Sequence, residues 1–184
     1  MKRGRPGPRT ILVVACACLA LLGLVPPKYY FWPKRFRVVE QGRIYRGGWQ
    51  TPRILEQLLQ RYRIKTLLNV ACNPGEREAA GEGKVVRELG VAWHKILMPG
   101  TGLGTFDQLD EAADVLAEPS NWPVFIHCAA GVHRTNMSIA AYRIKCCHWR
   151  VDEALDEMVH CGFVTSVDTG QAVYLREYAK HLEK

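Results

Sequence analysis

The chain has 184 residues, 48% of them hydrophobic and 23% charged, a composition typical of one globular domain and not of a disordered or fibrous protein. The formal net charge is +7, but residues 1–9 carry four basic residues and no acid, so the remainder has 21 Lys and Arg against 18 Asp and Glu. Because that remainder is only mildly basic and has no basic stripe with interleaved aromatic residues, no nucleic-acid partner is expected.

An apolar run follows the basic N-terminus, from residue 11 to residue 25, and ends at Pro26 and Pro27. As a helix these 15 residues would span about 22 Å, which is short of the roughly 30 Å of a bilayer core. The aromatic residues at 29–32 could lengthen the span as an interfacial belt. We assign 1–27 to a basic N-terminus with an apolar membrane anchor or signal segment, and 28–35 to an aromatic and basic linker.

An uncleaved anchor is the favoured interpretation of this segment. The small residues around Ala15 and Cys16 lie too early for a cleavage site, since apolar residues continue well beyond them. The sequence therefore predicts a membrane-associated, single-pass protein held through residues 11–25. Basic residues flank the run on both sides, so the side of the membrane stays open.

Residues 36–184 are predicted to form one domain in which strands alternate with helices. Residues 37–46 read as two short strands around a Gln-Gly turn, and Thr51 and Pro52 are typical of a helix start. Further strands are expected at 64–70, 91–97 and 124–126. A turn is expected at 73–75 and a flexible glycine loop at 98–104. Further helices are expected at 76–89, 105–116, 136–143, 151–159 and 171–182. This alternation predicts an α/β fold with a central, mostly parallel sheet of about four to five strands flanked by helices.

The stretch from His127 to Thr135 carries the chemistry. It places Cys128 at the end of a buried strand, then a loop of five residues, then Arg134 leading into a helix. In such a turn, backbone N–H groups converge on one point, and the helix N-terminus adds positive potential there. The same field stabilises a thiolate, the reactive form of cysteine, and the planar fork of Arg134 matches two phosphate oxygens. Thr135 is placed either to donate its hydroxyl to the sulfur or to cap the helix.

The pattern H-C-x5-R-T, with glycine third in the loop, resembles the signature of the cysteine-dependent protein tyrosine and dual-specificity phosphatases, and the preceding elements resemble the atypical dual-specificity type. The resemblance implies a tyrosine-phosphatase-like fold and hydrolysis of phosphomonoesters, without a metal or another cofactor, on a phosphorylated protein or a small phosphomonoester. It implies that the Cys128 thiolate attacks phosphorus and that water hydrolyses the resulting phosphocysteine. The residues implied to bind the phosphate are Ala129, Ala130, Gly131, Val132, His133, Arg134 and Thr135.

The proton donor is less well marked. The family usually places an aspartate in the loop that corresponds to residues 98–104, and that loop contains no acid here. Asp107, just after it, is the nearest upstream carboxyl group and the predicted general acid. An aspartate in the first turn of a helix also interacts favourably with the helix dipole, so a purely structural role for Asp107 stays open.

Other functions remain open at this point. The missing loop acid favours a catalytically weak phosphate-binding module, and the resemblance extends to enzymes acting on inositol phosphates or lipid phosphates by the same mechanism. A rhodanese-like sulfurtransferase fits Arg134 and Thr135 less well. Cys72, just after a predicted strand, is interpreted as an ordinary loop cysteine, with a resolving thiol for an oxidised Cys128 as the alternative. Cys146 and Cys147 are expected on a helix, packed as small apolar groups.

Overall fold

A five-stranded sheet in the order β1-β2-β5-β3-β4 forms the centre of the domain. The computed structural model describes residues 32–71, 76–164 and 168–183; the predicted anchor at 11–25, Cys72 and the predicted turn at 73–75 lie outside these ranges. The strands are β1 (Arg37–Glu40), β2 (Ile44–Gly48), β3 (Thr66–Asn69), β4 (Ala92–Lys95) and β5 (Val124–Cys128). Only the β1–β2 pair is antiparallel, so the predicted mostly parallel sheet is confirmed.

Six α-helices of the described residues flank this sheet. They are α1 (Pro52–Arg61), α2 (Glu76–Leu89), α3 (Phe106–Ala117), α4 (His133–Lys145), α5 (Val151–His160) and α6 (Thr169–Leu182), with a short 3₁₀ turn at Pro119–Asn121. Within the described ranges, no helix is both long enough and apolar enough to cross a membrane.

Local capping explains why the helix starts agree with the sequence. Thr51 accepts a hydrogen bond from the N–H of Ile54, with Pro52 at the first helical position. Thr105 and Gln108 form the predicted capping box at the start of α3. Each of these caps satisfies backbone N–H groups that have no partner inside the helix.

The central strand β5 divides the core into two halves. All five of its residues are buried, and successive side chains point to opposite faces of the sheet. Ile126 and Cys128 belong to the apolar cluster that packs against α3 and α4, whereas Phe125 belongs to the cluster that packs against α1 and α2. Because of this alternation, Cys128 faces α3 and α4, whereas His127 faces α1 and α2 on the opposite side of the sheet.

Cys146 and Cys147 lie just past α4 and not on it. The helix ends at Lys145, and the N–H groups of both cysteines bond to the carbonyl of Tyr142, at 2.9 and 3.2 Å. His148 then takes a positive φ of 58°, a role that glycine usually fills. Both cysteines nevertheless pack partly against the core, as expected of small apolar groups.

Candidate active site

Three parallel strands deliver the site to one edge of the sheet. Cys128 ends β5 and is paired in register with Gly48 at the end of β2, while His127 is paired with Asn69 at the end of β3. Ligand sites of open α/β sheets lie beyond the carboxyl ends of the strands, so the loop after β5 occupies the expected position. We call residues 128–134 the cradle loop.

A close backbone contact fixes the shape of the cradle loop. Gly131 has a φ of +74°, and its N–H donates a hydrogen bond to the Cys128 sulfur at 3.1 Å. A Cβ on Gly131 would lie 2.4 Å from the nitrogen of Gly48 and 2.5 Å from the carbonyl of Gly47. The cradle loop therefore packs backbone to backbone on the end of β2, at a position where only glycine fits.

The Cys128 thiol is almost completely buried, with 1% of its surface exposed. Burial opposes ionisation and is the largest single influence on its pKa. The hydroxyl and N–H of Thr135, the hydrogen bond from the N–H of Gly131 and the charge of Arg134 together outweigh it. They leave the pKa of Cys128 below its ordinary value. The described residues alone thus favour a thiolate at this position.

Arg134 and Thr135 lie in the first turn of α4, which begins at His133 with Val132 as its cap residue. Thr135 is therefore not the cap residue, and of the two roles the sequence left open, the one directed at the Cys128 sulfur fits the structure. All ten residues from Arg134 to Arg143 are buried. Because α4 is packed on every side, it provides a rigid support for the Arg134 side chain.

The remaining predicted phosphate-binding residues line the cradle loop between Cys128 and Arg134. Ala129 is exposed, Ala130 and His133 are half-buried, and Gly131 and Val132 are buried. The Nε2 atom of His133 lies 3.3 Å from a carboxylate oxygen of Asp168, just before α6. No group of three or more His, Cys, Asp or Glu side chains among the described residues could hold a metal ion.

Asp107 lies on α3, outside the cradle loop. It is exposed in the first turn of α3, and its side chain lines a shallow surface together with those of Asp110, Glu111 and Asp114. The structure thus brings Cys128, Arg134 and the rest of the cradle loop together and places Asp107 on an acidic outer stripe. Its catalytic role stays a prediction.

The glycine loop at residues 98–104 lies against the cradle loop. A Cβ on Gly102 would come within 3.2 Å of the backbone of His133. Two side chains of α6 fasten this glycine loop: the amide of Gln171 donates to the carbonyl of Thr101, and the hydroxyl of Tyr174 donates to the carbonyl of Gly104 at 2.7 Å. The loop is therefore held at both of these points and forms one rim of the site.

Sequence reasoning missed a buried carboxylate behind the cradle loop. Glu82 of α2 lies 3.1 Å from the Nε2 atom of His127, and both side chains are 3% or less exposed. The other oxygen of Glu82 accepts hydrogen bonds from Asn69 at 2.9 Å and Trp93 at 3.0 Å. Burial alone would raise the pKa of Glu82, but the contact with His127 and the bonds from Asn69 and Trp93 outweigh it and hold the pKa below its ordinary value. A signal was present, since Glu82 precedes Val85 and Val86 at helical spacing and so lies on the buried face.

Comparison with known proteins identifies the family. The sequence model of the tyrosine phosphatase family matches residues 30–184. The chain belongs to this family. TpbA, a dual-specificity protein phosphatase of Pseudomonas aeruginosa, is 31% identical over 126 residues, and the match covers 65% of this chain and 52% of TpbA. The inositol diphosphatase DSP4 of Arabidopsis thaliana is 30% identical over 129 residues, covering 68% of this chain and 62% of DSP4. The chain thus spans little more than half the length of these curated relatives.

Solved structures show the same fold. The crystal structure of TpbA superposes with a TM-score of 0.65 at 24% identity, covering 86% of this chain and 91% of that one. The catalytic domain of the phosphatase SIW14 from S. cerevisiae superposes with a TM-score of 0.64 at 22% identity, covering 79% and 86%. Together with the family match, these structures confirm the resemblance to the tyrosine and dual-specificity phosphatases that the motif and the elements before it indicated.

Proposed function

We propose that this chain is a cysteine-dependent phosphatase that hydrolyses phosphomonoesters through a phosphocysteine intermediate. The observation that carries the proposal is the cradle loop, in which a buried thiol of lowered pKa accepts the N–H of Gly131 beside Arg134. The Cys128 sulfur forms a bond to phosphorus as the ester P–O bond breaks, and the leaving oxygen takes up a proton. Water then cleaves the S–P bond, which releases inorganic phosphate and restores the thiolate.

Each part of the cradle loop has a separate role in this reaction. The N–H of Gly131 holds the sulfur, while the other backbone N–H groups of the cradle loop bind the phosphoryl oxygens as charge builds on them. The guanidinium of Arg134 holds two oxygens in its planar fork. Thr135 stabilises the sulfur when it leaves phosphorus in the second step, because its hydroxyl favours the thiolate. Asp107 is the proposed proton donor; Asp168, which contacts His133, is a second carboxyl group to test.

A phosphorylated protein is the substrate class that we favour, with phosphotyrosine or dual specificity. The side chains between Cys128 and Arg134 are Ala, Ala, Gly, Val and His, so no lysine or arginine is available there to bind the extra phosphates of a polyphosphorylated inositol. The relative named as an inositol diphosphatase supports the alternative. Turnover of a phosphotyrosine peptide and of an inositol diphosphate by the same preparation separates the two.

Burst kinetics test the mechanism. An aryl phosphate should release one equivalent of phenol per active site in a fast phase, and acid quenching should trap phosphate on Cys128. The variant Cys128→Ser should lose turnover yet still bind phosphate, because the N–H donors and Arg134 remain. Wild-type turnover in that variant would refute Cys128 as nucleophile, whereas phosphate binding by the wild type without a burst would identify a binding module.

We further propose that residues 11–25 anchor the protein to a membrane as a single span. The support is the sequence: an apolar run between basic flanks, followed by an aromatic cluster. The full chain should sediment with membranes and resist extraction by alkaline carbonate, whereas a chain that begins at Pro33 should stay in the supernatant with unchanged activity. Release of the full chain by carbonate, or failure of the shortened chain to fold, would contradict this assignment.

A further inference from the structure

Three successive carbonyl groups of the cradle loop each accept a hydrogen bond from a cationic side chain. The Lys34 ammonium donates to the carbonyl of Ala129 at 3.0 Å. The Nη1 atom of Arg35 donates to the carbonyl of Ala130 at 2.9 Å, and the Nη2 atom of Arg46 donates to that of Gly131 at 3.1 Å. The residues that donate come from the first residues of the domain and from β2, far from the cradle loop in sequence.

The backbone at Lys34 is held in place, so these contacts begin from a fixed point. Its carbonyl accepts the N–H of Gly48 at 2.9 Å, and its N–H donates to the side-chain oxygen of Gln50 at 2.9 Å. The amide of Gln50 donates back to the carbonyls of Lys34 and Gly48 at 3.0 and 2.7 Å. Gln50 is itself buried, which makes these bonds strong for their type. Lys34 and Arg35 therefore belong structurally to the domain, although the sequence placed them in a linker.

The peptide group contacted by Arg35 leads directly to the nucleophile. Its carbonyl belongs to Ala130 and its N–H belongs to Gly131, and that N–H donates to the Cys128 sulfur at 3.1 Å. A cation on a carbonyl oxygen draws electron density across the amide, so the N–H on the other side becomes a stronger donor. Lys34 and Arg46 act in the same way on the two flanking peptide groups, whose N–H groups belong to Ala130 and Val132.

We propose that Lys34, Arg35 and Arg46 are positioning residues that orient and polarise three successive peptide groups of the cradle loop, with Arg35 strengthening the hydrogen bond to the Cys128 sulfur. The inference rests on the proposed function. For Lys34 and Arg35, it assigns a part in the reaction to the last residues of the segment between the proposed membrane anchor and the first strand. In this proposal each of the three residues acts through the backbone of the cradle loop.

The test uses the full-length chain and the variant Arg35→Gln. Glutamine keeps a polar side chain but removes the charge, so the rate of alkylation of Cys128 by iodoacetamide should reach half its maximum at a pH about 0.3–1 unit higher than in the wild type. Mass spectrometry of the peptide that contains Cys128 separates this thiol from the other cysteines. The value of kcat/KM for an aryl phosphate should fall about 3–10-fold, as expected for loss of a charged but exposed hydrogen bond.

Matched variants distinguish this role from general electrostatics. Arg35→Lys keeps a cationic donor and should return both readouts to within about twofold or 0.2 pH units of the wild type. Arg53→Gln, which removes the same charge from an exposed position on α1, should change neither. Lys34→Gln should shift the alkylation midpoint less than Arg35→Gln, since its peptide group does not carry the Gly131 N–H.

Two results would overturn the proposal: an unchanged midpoint in Arg35→Gln, or an equal shift in Arg53→Gln. The alkylation midpoint does not depend on turnover. If the wild type shows neither a burst nor trapped phosphocysteine, the proposed function fails while the midpoint still decides whether Arg35 acts on the Cys128 thiol.

Discussion

Replacing Glu82 should destabilise the domain strongly, because three side chains, two of them buried, share this one buried carboxylate. Its two oxygens contact His127 at 3.1 Å, Asn69 at 2.9 Å and Trp93 at 3.0 Å. In Glu82→Leu, the N–H donors of these residues lose their acceptor. Each fully buried donor left unpaired costs about 1–3 kcal/mol, so the two at His127 and Asn69 together cost about 4 kcal/mol.

Thermal unfolding followed by circular dichroism measures this effect. In a domain of about 150 residues, 1 kcal/mol corresponds to roughly 2–4 °C, so Glu82→Leu should unfold about 8–16 °C below the wild type. Glu82→Gln, which keeps the shape and one acceptor oxygen, should lose roughly half as much. The control is Glu88→Gln on the same helix, where the carboxylate is exposed and 3.8 Å from Lys84; its melting temperature should change by less than about 2 °C.

The dependence on pH provides an independent check on the carboxylate. The pKa of Glu82 is lower in the folded protein than the ordinary value of 4.5. Its charge therefore stabilises the fold fully above that ordinary value, and this contribution disappears as the pH falls through the lowered pKa. The difference in unfolding free energy between wild type and Glu82→Gln should be largest near pH 7 and shrink below about pH 4.5. A Glu82→Leu melting temperature within 2 °C of the wild type, or a difference that grows in acid, would refute the reasoning.

Three further predictions concern the site itself. Arg134→Lys should lower kcat/KM for an aryl phosphate by about 10²-fold or more, because an ammonium cannot replace the two parallel hydrogen bonds of a guanidinium. Near-normal kinetics would show that Arg134 does not bind the phosphoryl group in this bidentate way. Gly131→Ala should abolish phosphate binding measured by calorimetry, since its Cβ meets backbone 2.4 Å away; intact binding would contradict the close contact. Asp107→Asn should slow phosphotyrosine hydrolysis about 10²–10⁴-fold but hardly affect an activated aryl phosphate, whereas small, equal losses on both would leave Asp168 to test.

The fold could be predicted largely because its signals are local. Thr51 with Pro52 marks the start of α1, and the capping box of Thr105 with Gln108 marks the start of α3. Gly90, with its positive φ, marks the end of α2. Each of these signals lies within one turn of the helix end that it marks. Two of the strands were predicted too long. Residues 64–70 contain a strand only over Thr66–Asn69, and residues 91–97 only over Ala92–Lys95. Buried apolar residues outside the paired segments, such as Ile64, Val70 and Ile96, extend the strand-like pattern in the sequence.

The centre of the site could also be predicted, since Cys128, Gly131 and Arg134 are close in sequence and one loop brings them together. What surrounds them depends on contacts between distant segments. The bond from Lys34 to Ala129 joins residues 95 positions apart, and no pattern within a window of helical or strand length contains both ends. His148 shows another limit, because it takes the positive φ after α4 that a sequence interpretation expects of glycine or asparagine.

The backbone contact between β2 and the cradle loop has a consequence for natural variants of this chain. A methyl group on Gly48 would come 2.9 Å from the carbonyl oxygen of Ala130, so even alanine there would push on the cradle loop. Gly48 has no reactive group and lies far from Cys128 in sequence. A survey of inactivating variants would therefore include this glycine beside the chemical residues, and its inactive variants should regain no activity from added nucleophiles or altered pH, because the defect is one of shape.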